Sequence, residues 1–159
     1  MSSIEEQTKH ATLLERYEEA MSDLYKEYAG QYAGYESHWR RLAEDEIQHA
    51  DWVRTLRKRI EDGSVRLSPE HMVTTAQIIN ALDRAAAEIA RAQEGNTSLA
   101  TAVAVASQLE RDMLERNWFR FYDTDSDDLK RVFGSLAGET AKHVDALKKL
   151  SDQVGGQGQ

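Results

Sequence analysis

The chain of 159 residues has no cysteine, one proline and nine glycines. Without cysteine there is no disulfide framework, no thiolate zinc site and no cysteine nucleophile. With so few helix breakers, four of the glycines lying at or beyond Gly138, long uninterrupted segments remain. Valine and isoleucine seldom alternate with period two, which predicts an all-α domain. No apolar run approaches the ~20 residues needed to cross a bilayer. The opening MSSIEEQTKH is acidic and polar, unlike a secretory signal peptide. Basic residues are outnumbered, and the net charge of −8 argues against non-specific binding to nucleic acid or to an anionic membrane surface. The resulting expectation is a cytoplasmic protein with neither nucleic acid nor membrane as a partner.

What is present is helical periodicity. The length fits one domain, large enough to bury about 70% of its unfolded surface. Helices are predicted over roughly Ile4–Tyr32, Ser37–Glu61, Thr74–Gln93 and Thr97 or Ser98 to Tyr122. A last one runs from the turn Asp123–Ser126 to about Asp152, giving a domain of residues 1–152 and a flexible tail, 153–159. Asp62–Gly63 and Gly95–Asn96 are stop signals. Ser68-Pro69-Glu70 reads as a cap with proline in the first turn. Two long hairpins joined by a segment with an extra short helix have the layout of a four-helix bundle with one long crossover.

In the second helix, steps of three and four give one stripe: Trp39, Leu42, Glu46, His49, Val53, Leu56 and Ile60. A carboxylate and an imidazole sit where core residues belong. The last helix repeats the stripe at an offset of 94 residues with Phe133, Leu136, Thr140, His143, Leu147, Leu150 and Val154. The first helix supplies Ala11, Leu14, Glu18, Met21, Tyr25, Tyr28 and Tyr32, and the fourth supplies Val103, Ala106, Glu110, Met113 and Asn117. The seams thus project Glu18, Glu46, His49, Glu110 and His143 into one interior. Burying several carboxylates together is very unfavourable without a compensating cation. Carboxylates with imidazoles suit iron or manganese, and Glu-x-x-His puts both donors one turn apart on one face. Tyr25, two turns after Glu18, reads first as a core tyrosine and second as a hydrogen-bond partner for a ligand carboxylate. His10, His38 and His71 lie off the seams and read as surface residues. Trp39, Trp52, Trp118, Phe119, Phe121 and Tyr122 read as packing, some of them covering a dimer interface.

The segments EEAMSDLY (18–25), LAEDEIQHA (42–50), AVASQLERDM (104–113) and LAGETAKHV (136–144) resemble the rubrerythrin-like branch of the ferritin-like superfamily, in order and over about residues 11–150. The resemblance implies a ferritin-like four-helix bundle with a carboxylate-bridged di-iron centre, two ions or one, with manganese or zinc able to substitute. It implies reaction with peroxide or dioxygen, and the ligands Glu18, Glu46, His49, Glu110 and His143. Where the family has a glutamate three residues before the last histidine, this chain has Thr140. Glu139, one position earlier, is the replacement candidate if the helix bulges locally, with Thr140 as a neighbour bonding a ligand or bound water. Long rubrerythrins carry a cysteine-ligated electron-transfer domain. This chain has no cysteine, so an external electron donor is expected, and a homodimer. Two other classes compete: non-catalytic iron binding, and a metal-poor bundle with a structural or partner-binding role.

Overall fold

The computed structural model describes residues 3–67, 73–115, 122–123 and 127–157. It contains five helices: α1 (Ile4–Gln31), α2 (Glu36–Glu61), α3 (Thr75–Gln93), α4 (Leu99–Glu115) and α5 (Asp127–Gln157). Two short strands, β1 (Arg66–Leu67) and β2 (Tyr122–Asp123), pair antiparallel. None of the helices among the described residues is long and apolar enough to cross a membrane.

Local chemistry sets the ends. Ser3 caps α1 and Thr74 caps α3, each in a reciprocal box with the side chain three residues on, Glu6 and Gln77. Gly63 and Gly95, which follow α2 and α3, have φ of +81° and +77°. Only glycine enters that region without strain, so the chain turns there. The predicted cap at Ser68–Glu70 lies outside the described residues.

α1 packs along α2 and also along α3, while α4 packs along α5 and α2 faces α5. The seam on α2 is buried throughout, from Trp39 to Ile60, and that on α5 from Phe133 to Leu150. Val103, Ala106, Glu110 and Met113 do the same on α4. α1 is buried over a wider arc than one seam, because α3 covers a second side. Leu13, Tyr17 and Leu24 join Leu14, Met21 and Tyr25 in the core.

Three sequence expectations are corrected. His10, read as a surface residue, is buried. Burial pulls its pKa down to about 4, so it stays neutral. The fourth helix does not run to Tyr122: that residue is extended and pairs with Leu67. The last helix continues to Gln157, so residues 153–157 belong to it and not to a tail. His38 is half-buried, while His71, Asn117, Trp118, Phe119 and Phe121 lie outside the described residues.

Candidate metal centre

Each helix of the two hairpins delivers its seam acid or histidine to one point. Glu18 comes from α1, Glu46 and His49 from α2, Glu110 from α4 and His143 from α5, none more than 3% exposed. They form two adjoining triads. Glu18, Glu46 and His49 can present one donor atom each, all within 4.8 Å of one another, and so can Glu46, Glu110 and His143. Glu46 belongs to both. Its Oε2 lies 3.3 Å from His49 Nδ1, and its Oε1 lies 3.1 Å from His143 Nδ1. His143 Nδ1 is also 3.2 Å from Glu110 Oε1. The two imidazoles stack with centroids 5.4 Å apart.

The surroundings orient the donors. Tyr25, fully buried in the core, donates its hydroxyl to Glu110 Oε1 at 2.7 Å. His143 turns Nδ1 inward and Nε2 outward, where Asp45 Oδ2 sits 3.1 Å away. That is how ligand imidazoles are held elsewhere: a carboxylate on the far nitrogen fixes the ring and raises its basicity. Sequence reasoning missed Asp45. It lies off the seam, partly exposed, and only the approach of α5 to α2 gives it a role. His49 has no such partner among the described residues; its Nε2 is buried without a hydrogen bond to any of them, and its ring stacks on Trp52 at 5.6 Å.

On α5 the helix runs unbroken through Leu136–His143. Thr140 is fully buried, and its hydroxyl donates to Leu136 O at 2.8 Å. Glu139 is half-buried and pairs with Lys142 at 3.2 Å. It can still bring an oxygen within 4.8 Å of donors on His49 and His143. It does so by side-chain reach and not through a bulge.

The charge in this interior is poorly compensated. Burial and the neighbouring carboxylate of Glu46 raise Glu18 well above the ordinary range. Burial, then repulsion from Glu110, pushes Glu46 up to about 7. Burial also acts upward on Glu110, but its bonds from His143 and Tyr25 outweigh it and hold that group low. Against the cost of burial, Glu110 and Glu46 hold the proton on His143, whose pKa rises to about 12. Neither oxygen of Glu18 meets a hydrogen-bond donor among the described residues. Its nearest cation-forming neighbour is His49 Nδ1 at 3.7 Å. A buried carboxylate in that state is costly, and a divalent cation between it and Glu46 would remove the cost. The donor set, hard oxygens with imidazole nitrogens, could hold a metal ion.

One consequence can be measured at once. Asp45→Asn leaves the shape of the site intact but weakens the hold on His143. Metal affinity is expected to fall about 10- to 100-fold, as read by competition with a coloured chelator. Unchanged affinity would make Asp45 a surface acid that merely lies near the ring.

No protein-family model matches the chain, and neither does any curated protein or any solved structure.

Proposed function

We propose that this chain is a ferritin-like, rubrerythrin-type bundle that holds a pair of iron-type ions and reduces peroxide or dioxygen with electrons from a separate donor. One observation carries the reading: the Glu18 carboxylate is buried with no hydrogen-bond donor among the described residues, next to a second buried carboxylate, Glu46, common to two histidine-containing triads. A carboxylate so placed is relieved by a proton or by a cation, and a metal ion relieves Glu18 and Glu46 together. Glu18, Glu46 and His49 would hold one ion, and Glu46, Glu110 and His143 the other. Iron bound there would supply one-electron redox chemistry and polarise an oxygen substrate.

The chain's own residues have definable tasks. Glu46 sets the spacing by offering one oxygen to each triad. Tyr25 fixes Glu110, and Asp45 fixes His143. Leu14, Met21, Val53, Ala106, Leu136 and Leu147, the seam positions one turn before or after the polar ones, are buried in the apolar core, and an apolar interior strengthens every charge interaction inside it. The two halves are unequal: the α5 carboxylate is Glu139, already paired with Lys142 near solvent. The Glu110–His143 half is therefore expected to bind its ion more weakly.

Elemental analysis after reconstitution with iron tests the reading, followed by peroxide consumption with a supplied reductant. About two ions per chain and sustained turnover are expected. Iron binding without turnover would indicate iron holding, and a chain that stays metal-free would indicate a structural bundle.

A further inference from the structure

An unbroken file of aromatic rings leads from the acid–histidine site to the surface. Tyr25, whose hydroxyl bonds Glu110, has its ring centroid 5.7 Å from Trp39. Trp39 meets Tyr28 edge-on at 4.8 Å, and Tyr28 lies 5.9 Å from Tyr32. The first three residues are fully buried. Tyr32, just past the end of α1, is half-buried, with its hydroxyl on Thr97 O at 2.6 Å.

Packing explains rings in contact. It does not explain which rings. The Tyr28 hydroxyl and the Trp39 Nε1–H are both buried without a hydrogen-bond partner among the described residues. Phenylalanine at Tyr28 would fill nearly the same space and avoid burying an unbonded polar group. What phenylalanine cannot do is give up an electron reversibly at a potential that phenol and indole reach.

We propose that Tyr32, Tyr28, Trp39 and Tyr25 form an electron relay, carrying reducing equivalents from a one-electron donor at the Tyr32 end to the acid–histidine site. For its oxidant the relay rests on the function proposed above. Peroxide reduced to two waters takes up two electrons, which the relay delivers singly, and two protons, which come from solvent. Each electron withdrawn leaves Tyr32 as a neutral radical, and its phenolic proton passes to water. The external donor returns the electron and water returns the proton. Among the described residues neither Tyr28 nor Trp39 has an acceptor for a proton, so each passes the electron as a short-lived radical cation, and oxidation settles on Tyr32, which solvent reaches. With no cysteine, the chain has no thiolate-held iron centre of its own to do this work.

The relay can be read without metal. In a Trp52→Phe, Trp118→Phe background Trp39 is the sole tryptophan, and a laser pulse can photo-ionise it in the metal-free protein. Transient absorption should show the tryptophanyl radical decaying as a tyrosyl radical grows, at a rate independent of protein concentration. Tyr28→Phe, which removes only an unbonded hydroxyl, should abolish the growth assigned to Tyr32. Tyr32→Phe should remove the long-lived tyrosyl signal, and Tyr25→Phe should leave it. Thermal melts of each variant check that packing is retained. Transfer unchanged in Tyr28→Phe and Tyr32→Phe, or a signal lost only in Tyr25→Phe, would overturn the proposal. Iron content is measured separately on the same protein. A chain that transfers the radical but binds no iron refutes the metal reading and keeps the path from Trp39 to Tyr32 without its oxidant; one that binds iron and shows no transfer refutes the relay alone.

Discussion

Glu46→Gln should empty the site, taking bound metal from about two ions per chain to nearly none. Glu46 is the one residue common to the two triads, so one substitution removes an anionic oxygen from each. Glutamine keeps the shape of the side chain and removes its charge. The same change should act in the opposite direction on the metal-free protein. Burial and repulsion by Glu110 penalise the Glu46 carboxylate, and a neutral amide escapes both. Metal-free Glu46→Gln is therefore expected to melt above the metal-free parent at neutral pH while binding almost no iron. That pair of outcomes separates a ligand from a core residue, whose replacement would lower stability with or without metal. Glu139→Gln is the companion. Glu139 is half exposed and paired with Lys142, so its loss should weaken the second ion without emptying the site. Equal metal content in Glu46→Gln and the parent, by elemental analysis, would refute the shared-ligand arrangement.

The second large effect is a reversal of pH dependence. Glu46 has a folded pKa of about 7 against an ordinary 4.5. The unfolded chain gives up that proton first, so the metal-free fold loses stability as pH rises between those values. The loss is on the order of 3 kcal/mol. Glu18 is shifted in the same direction. His143, raised to about 12, also favours the fold fully below its ordinary 6.5 and less as pH rises through 12. His10, lowered to about 4, and Glu110, also lowered, act oppositely, and stability from both is lost toward acid. Metal-free protein should thus be most stable in mild acid and fall steadily toward alkaline pH. Metal reverses the alkaline side, since binding displaces the protons and strengthens as they leave. At a thousandfold excess over its Kd an ion adds about 4 kcal/mol, or about 10 °C in melting temperature for a chain of this size. Melts from about pH 5 to about pH 9, with and without iron, should therefore diverge as pH rises. Parallel curves would show that the cluster does not bind the ion.

Much of the site was legible because helical period is a local property. Glu46 and His49 stand in a stripe whose every other member is apolar, and all seven members of it are buried. The matched stripe on α5 brings His143 to the same point. What the sequence hid is set by contacts between elements. Asp45 lies one position off the seam and acquires its partner only when α5 approaches. His10 is buried off the seam of α1, and which off-seam positions another element covers is not encoded in a single-helix pattern. Tyr122 continues an apolar helical face in sequence, yet it pairs with β1, since strand partners far apart in the chain leave no periodic trace. The aromatic file was invisible for a similar reason: Tyr25, Tyr28 and Tyr32 share a face of α1, but Trp39 enters between them from α2.

The pairing of helices has a further consequence for how the chain opens. α1 is held along its length by α2 and α3, and α4 by α5. Where the two pairs meet, the middle of the interface is not oil but acid and imidazole: Glu46 against His143, Tyr25 against Glu110. Cooperative units of a fold separate where apolar contact is thinnest. In the metal-free chain the α4–α5 pair should come away as a unit before α1–α2 unravels, its amides exchanging with solvent through that partial opening. An ion gripped from both sides joins the two units, so its loss would register as early hydrogen exchange in α4 and α5, far along each helix from any ligand.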